Sequence, residues 1–359
     1  MSNLSNLSDR SSLIRRLATR RALGSNAESS FPKRRSRFLR GRLFFGPKWR
    51  YSVSRVDIKI TGDGGMAQTL HPLAGRLGSP MPHLEYALPG ESVREFVSVY
   101  YRFDCPEPFV TDGERAAIAQ LRLGTCGRVT MHLPDGSSTT CTGAVLCGPT
   151  TAAVRFEIEG PFHMFGMGIT AAGWGALTQA SAADFVDKVV PAATIFPRIN
   201  ERLELLRTLD SLPQMCAAAD EILQGFIDTA SPEMVQFTRM VDAWLASSVS
   251  PLVSDLHAQS NLSERQLTRR VKQLYGMPPK YLSRKYRALR AARSLIDAEP
   301  DEADFLRDAF YDQSHMIREL KLFAGTTPTR LRTGEGELAR LIDQRSQLKG
   351  AINPLVADT

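Results

Sequence analysis

The clearest periodicity of the chain lies toward its carboxy-terminal end. From Ser263 onward, Leu267, Val271 and Leu274 recur at helical spacing, while Arg265, Thr268, Arg269 and Lys272 share the opposite side. The pattern then repeats at a constant offset of 49. Arg269 matches Arg318, Lys272 matches Lys321, Gly276 matches Gly325, Pro279 matches Pro328 and Leu282 matches Leu331. The apolar positions follow, with Met316, Leu320 and Phe323 in place of Leu267, Val271 and Leu274. So many agreements at one offset imply a single supersecondary unit used twice.

Each copy reads as a short helix, a tight turn and a second helix that ends near the Gly and is stopped by the Pro three residues on. Leu252 to Ser260 is the first helix, and the Ser263 hydroxyl is placed to cap the second. In the second copy Ala303 to Ala309 is the short helix and Asp312 the cap of the next. The outer face there carries Ser314, Arg318 and Lys321, with His315 at its margin. Paired helices of this kind present a recognition helix to the DNA major groove. Arg can fork onto guanine, while Thr268, Gln313 and Ser314 can read base edges. Lys272, Lys280, Lys321 and Arg330 suit phosphates.

Upstream the pattern is different. Between Met81 and about Pro197 short β-rich runs alternate with Gly and Pro, as in Val97 to Phe103, Val129 to Leu133, Ala144 to Cys147 and Val154 to Ile158. Pro134-Asp135-Gly136 predicts a turn, and Ala171 to Val190 reads as helical. From Arg198 to Ala230, Leu203, Leu206, Leu209, Leu212, Met215, Ile222 and Phe226 predict helices that either pack within the chain or pair two copies. The fold class expected is therefore multidomain α+β. A β-rich, barrel-like sensing domain (81–197) and a helical linker with a dimerisation candidate (198–245) precede an all-α double helix-turn-helix domain (246–333) and a tail (334–359).

Charge changes this picture less than its total suggests. The net charge is +7, but residues 1–50 hold thirteen Lys or Arg against Asp9 and Glu28, so the remainder of the chain is net negative. This leader (1–80) reads as a basic solvated coil, a transit-like segment, or a start assigned too far upstream of Met66 or Met81. A second concentration lies from Ser263 to Arg293, with ten basic residues against Glu264. Five irregularly spaced cysteines, Cys105, Cys126, Cys141, Cys147 and Cys216, lack zinc-type spacing and read as reduced thiols. No metal or cofactor is expected, nor a membrane span, and the location expected is cytoplasmic.

The motifs Leu262-Ser-Glu-Arg-Gln-Leu-Thr-Arg-Arg-Val-Lys272, Gly276-Met-Pro-Pro-Lys-Tyr-Leu282, Phe310-Tyr-Asp-Gln-Ser-His315 and Gly325-Thr-Thr-Pro328 resemble the AraC/XylS DNA-binding domain. The resemblance implies a transcription regulator in which a long helix, Pro279 to Ile296, joins two reader units. It implies base contacts by Arg265, Thr268 and Arg269, and by Ser314, His315 and Arg318. His257 and Phe305 stand where that family has small residues, and Ala309 where it has a turn Gly; His257 is expected as a partly buried packing residue. Gly148-Pro149, Val154-Arg155-Phe156, Gly160-Pro161 and Ala172-Gly173-Trp174 resemble a β-rich regulatory domain fused upstream of such readers. Partners implied are double-stranded DNA, a small-molecule effector, RNA polymerase and a second copy of the chain.

Two other classes remain open at this point. An alkyl-DNA repair protein shares the reader fold but needs cysteine clusters that Cys141 and Cys147 do not provide. A nonspecific nucleic-acid binder would rely on the basic leader. His132 and His163, with Asp135, Glu157 and Glu159 near them in sequence, permit an acid–base or metal site on paper, although strand residues of these types are more often structural. Trp174, Phe162 and Phe165 either line a ligand pocket or fill the core.

Overall fold

Two half-sheets of different partners hang on two long strands. The structure is a computed structural model, and it describes residues 82–196, 202, 205–228, 230–297, 306, 309–333, 348 and 352–357. Strand β4 (Ala119–His132) and strand β7 (Val154–Ile169) pair antiparallel along their length. One half of β7 then takes β2 (Val97–Cys105), which takes β1 (His83–Ala87), and the other half takes β3 (Phe109–Glu114). In the same way β4 takes β6 (Ala144–Cys147) at one end and β5 (Ser138–Cys141) at the other, with β8 (Val189–Pro191) beyond β6. The β-rich expectation holds, but the strand path runs open from β1 to β8 and does not close into a barrel.

The bend between the halves has a local cause. Register shifts fall at Gly124 to Arg128, where Gly127 has φ +68° and a Cβ would stand 2.5 Å from Pro161 O. Only glycine fits that close approach. The expected turn at Pro134-Asp135-Gly136 is present: the Gly136 N–H donates to Leu133 O, and the Ser137 N–H to the Asp135 carboxylate.

Alternation along the strands gives the sheet two apolar faces. Tyr100, Leu121, Leu123, Phe165 and Met167 turn to one core, which Trp174 and helix α2 (Leu212–Ile227) complete. Phe165 and Trp174 are thus core residues. Tyr101, Phe103, Phe156 and Phe162 turn to the other, which Leu348, Ile352 and Val356 of the tail help cover. The apolar stripe of α2 lies on its own sheet, and the Tyr100 hydroxyl donates to Asp220 of that helix at 2.6 Å. Of the region read as helical from Ala171 to Val190, only α1 (Ala171–Leu177) and a 3-10 turn, Ala182–Phe185, are helical, and Val189 and Val190 belong to β8. The physical reason is the stop at Thr178, which is extended, with the Trp174 indole N–H donating to Ala180 O.

Helix α3 (Pro232–Ala246) leads into the reader helices: α4 (Val253–Ser260), α5 (Glu264–Tyr275), α6 (Pro279–Asp297), α7 (Gln313–Phe323) and α8 (Pro328–Thr333). The long helix expected from Pro279 is α6. Most of the short helix expected at Ala303 to Ala309, Phe305 included, lies outside the described residues, as do Leu203 and the leader.

The β-rich and helical parts are joined by backbone. The Ala116 N–H donates to Phe323 O and the Ala153 N–H to Leu322 O, both at 2.8 Å. Both acceptors are end carbonyls of α7, which a helix leaves unsatisfied. Lys285 of α6, 1% exposed, donates to Ala117 O at 2.7 Å and Thr150 O at 3.4 Å, and the Tyr281 hydroxyl donates to Thr151 O at 2.7 Å.

Burial pushes the Lys285 amine down to about 7 from 10.5, with Asp187 and Glu114 pulling the other way. Between those values the unfolded chain binds more protons than the folded one, so this group's contribution to stability rises with pH. Thermal melts across that window should show the wild type gaining on Lys285→Met as pH rises. Parallel curves would contradict the lowering of the Lys285 amine by burial.

Candidate nucleic-acid interface

The first reader helix starts where its capping chemistry dictates. The Ser263 hydroxyl accepts from the Gln266 N–H while the Gln266 side chain accepts from the Ser263 N–H, a reciprocal capping box. It ends at Gly276, φ +83°, in the left-handed conformation that a side chain resists. In the second copy the Asp312 carboxylate accepts from the His315 N–H at 2.7 Å, and Gly325 has φ +71°. The 49-residue repeat is therefore also a repeat of backbone devices.

Helix geometry then sorts the faces. Leu267, Val271 and Leu274 of α5 are buried against Phe237, Trp244 and Leu256, and Leu320 and Phe323 of α7 are fully buried. On the other side Arg265, Arg269 and Lys272 are exposed and Thr268 is half-buried, and all four line one open groove. It is also bordered by Ser181, just before the 3-10 turn, and Ala183 within it. On α7, Gln313, Ser314, Arg318 and Lys321 are exposed, as are Lys280 and Arg330. His315 is turned partly inward, its ring edge-on to Phe310 and its Nε2 3.9 Å from Glu319.

The basic cluster from Ser263 to Arg293 divides into two populations. Arg284 and Arg287 both reach Glu319 of α7, at 2.7 and 3.6 Å, and that carboxylate is 5% exposed. Arg290 donates to Leu245 O and Ser248 O, and Arg293 pairs with Asp297. Arg270 donates to Glu233 O and covers the Phe237 ring at 4.4 Å. With Lys285, these six hold the reader together. Arg265, Arg269, Lys272 and Lys280 make no hydrogen bond or ion pair among the described residues, and all four are exposed.

Some expectations shift. His257 is exposed, not partly buried, because Leu256 takes the inward position and the next residue falls about 100° round the helix. Ala309 is buried at a helix end. Sequence reasoning passed over Tyr311, 96% exposed beside the Asp312 cap; an aromatic inside a polar turn is the signal that marks it. His132 lies 3.2 Å from Glu157 on the neighbouring strand, and His163 pairs with Asp104 of β2 at 2.6 Å. The two histidines do not share a site. Cys126, opposite His163 in register, donates instead to Pro161 O.

A helix pair, α4 and α5, and a second capped helix, α7, each reader helix with one packed stripe and one cationic face, flank the long helix α6, an arrangement suited to presenting two helices to DNA. Comparison with known proteins agrees: residues 256–334 match the family described as helix-turn-helix domain. This region is a helix-turn-helix domain, a DNA-binding architecture. No curated protein sequence matches the chain. Among solved structures, apo ToxT from Vibrio cholerae is 11% identical, covering 72% of this chain and 99% of that one at a TM-score of 0.38. Wild-type ToxT from the same organism, bound to unsaturated fatty acid, is 12% identical over 73% and 100% at 0.37. The AraC-like transcriptional activator CuxR is 14% identical over 57% and 78% at 0.23. No described helix is long and apolar enough to cross a membrane.

The two populations of basic residues should respond oppositely. Glu319→Ala leaves Arg287 without its carboxylate and should lower unfolding free energy by about 3–5 kcal/mol, as broken buried ion pairs do. Arg269→Ala should stay within about 0.5 kcal/mol of the wild type, as exposed substitutions do. Denaturant titration of both variants checks the division.

Proposed function

We propose that α5 and α7 enter successive stretches of the major groove on one face of the duplex. Arg265, Thr268 and Arg269 would contact bases from the first helix, and Gln313, Ser314, His315 and Arg318 from the second. Lys272, Lys280, Lys321 and Arg330 would hold phosphates, joined by the Tyr311 hydroxyl. The observation that carries this reading is the division of the basic cluster, which leaves Arg265, Arg269 and Lys272 unpaired among the described residues on the side of α5 away from its core, with Lys280 exposed at the start of α6.

The β-rich part acts as the input domain in this reading, and its chemistry is recognition, not catalysis. Its route to DNA is short. The 3-10 turn at Ser181 and Ala183 borders the reading groove, and the Ala116 and Ala153 amides hold the end of α7. Any pairing of two copies would use a surface other than the buried stripe of α2.

Binding titrations on a duplex selected by the wild-type chain test the roles. Arg269→Ala or Arg318→Ala should cost about 1–3 kcal/mol and relax preference at one position. Lys272→Ala or Lys321→Ala should weaken all duplexes alike and lower the salt dependence of binding by about one phosphate's worth. Unchanged affinity and preference in Arg269→Ala would show that α5 does not read bases.

A further inference from the structure

The second face of the sheet is not filled. A cavity of about 80 Å³ lies there between β1, β2, β4 and β7, walled by Tyr86, Phe103, Phe156, Ile158 and Phe162. Each of these is buried, and four of the five present aromatic rings to the space. Phe162 is the one of the three pocket-or-core aromatics of the sequence that lines this space.

Polar groups gather at one end only. Arg122 of β4 donates through Nη2 to both Glu114 oxygens, at 2.7 and 2.6 Å, and to Gln120 Oε1 at 2.9 Å. Its Nε donates to the Tyr101 hydroxyl at 3.1 Å, and that hydroxyl donates to Gln120 Oε1 at 2.6 Å. The Gln120 amide closes the ring of bonds by donating to Glu114 at 2.7 Å. The remaining nitrogen, Nη1, donates among the described residues to the Met131 thioether at 3.8 Å, a weak acceptor.

Such a network is not needed for packing. Apolar residues of similar volume serve a core as well as a buried ion pair does, often better. A hollow apolar space with a few convergent polar groups is instead the form of a small-molecule site. The charge of the pole fixes the class of ligand. Glu114 balances Arg122, and the Tyr101 phenol, pushed up to about 12 by burial with Arg122 opposing, stays protonated. A carboxylate guest would have to displace Glu114 and an ammonium guest Arg122, and either would lose its hydration without an unpaired charge to meet.

We propose that this cavity binds an uncharged small molecule with an aromatic or alicyclic body and one hydroxyl or carbonyl oxygen. That oxygen accepts from Arg122 Nη1 while the body lies among the rings. The proposal rests on reading the β-rich part as the input domain. Its place in the fold supports that role, because Glu114 is two residues from Ala116, whose amide caps α7.

Benzyl alcohol, benzoate and benzylamine share one ring and one-carbon arm and differ in charge, so calorimetric titration of the full chain with each at neutral pH is a direct test. Benzyl alcohol should bind with a Kd at least tenfold below either ion. Val129→Phe, which fills the space from its half-buried rim, should abolish that binding while the variant still melts cooperatively; Met164→Phe serves from another strand if Val129→Phe does not fold. Tighter binding of an ion, binding of none of the three, or binding that survives in the filled variants overturns the proposal. The titration contains no DNA, so its failure overturns the cavity assignment alone, whereas loss of sequence-selective DNA binding overturns the regulator reading alone.

Discussion

The buried Lys285 amine and the two loops that receive it are what the arrangement depends on. A polar group taken out of water is costly unless its donors are met. Here they are met by Ala117 O and Thr150 O, so the segments at 115–118 and 149–153 must stand in place when α6 is in place. The same segments supply the Ala116 and Ala153 amides that finish α7. From the opposite side, Arg284 and Arg287 of α6 fix α7 through Glu319. The second reader helix is thereby held between the linking helix and the sheet. The first is seated by Leu267, Val271 and Leu274 on the α3 and α4 core. Two readers with one fixed separation follow from this joint.

The joint also explains why the charge of the chain was a poor guide. Ten basic residues crowd the interval from Ser263 to Arg293, and composition treats them alike. Six are absorbed in holding carbonyls, a ring or carboxylates, and these fall on α6 or at the α3 contact. Four face outward. Counting could not separate them, because a basic residue's role depends on what lies across from it in space, and for Arg287 that is a carboxylate some thirty residues away.

What was legible in the sequence was what is local. The repeat, the caps at Ser263 and Asp312, the glycines at 276 and 325 and the strands around Val97, Ala144 and Val154 all depend on residues within a few positions of one another. The helix expected from Ala171 to Val190 failed because its end is set by Trp174 reaching Ala180 O, a side-chain bond no periodicity records. Barrel closure was not to be had from alternation, which marks two faces but not where a sheet ends. The Arg122 network was hidden for a related reason: Tyr101, Glu114 and Gln120 come from three different elements of the sheet. His163 found Asp104 from β2, not the acids near it in sequence.

In the proposed reading one chain carries two DNA readers at a fixed distance. Selection of binding sites from random duplex DNA with the full chain tests this most directly. Two sequence boxes at a single centre-to-centre spacing of about one helical turn, roughly 10 base pairs, are predicted. Boxes recovered at variable spacing, or a pool with no enriched sequence, would contradict it.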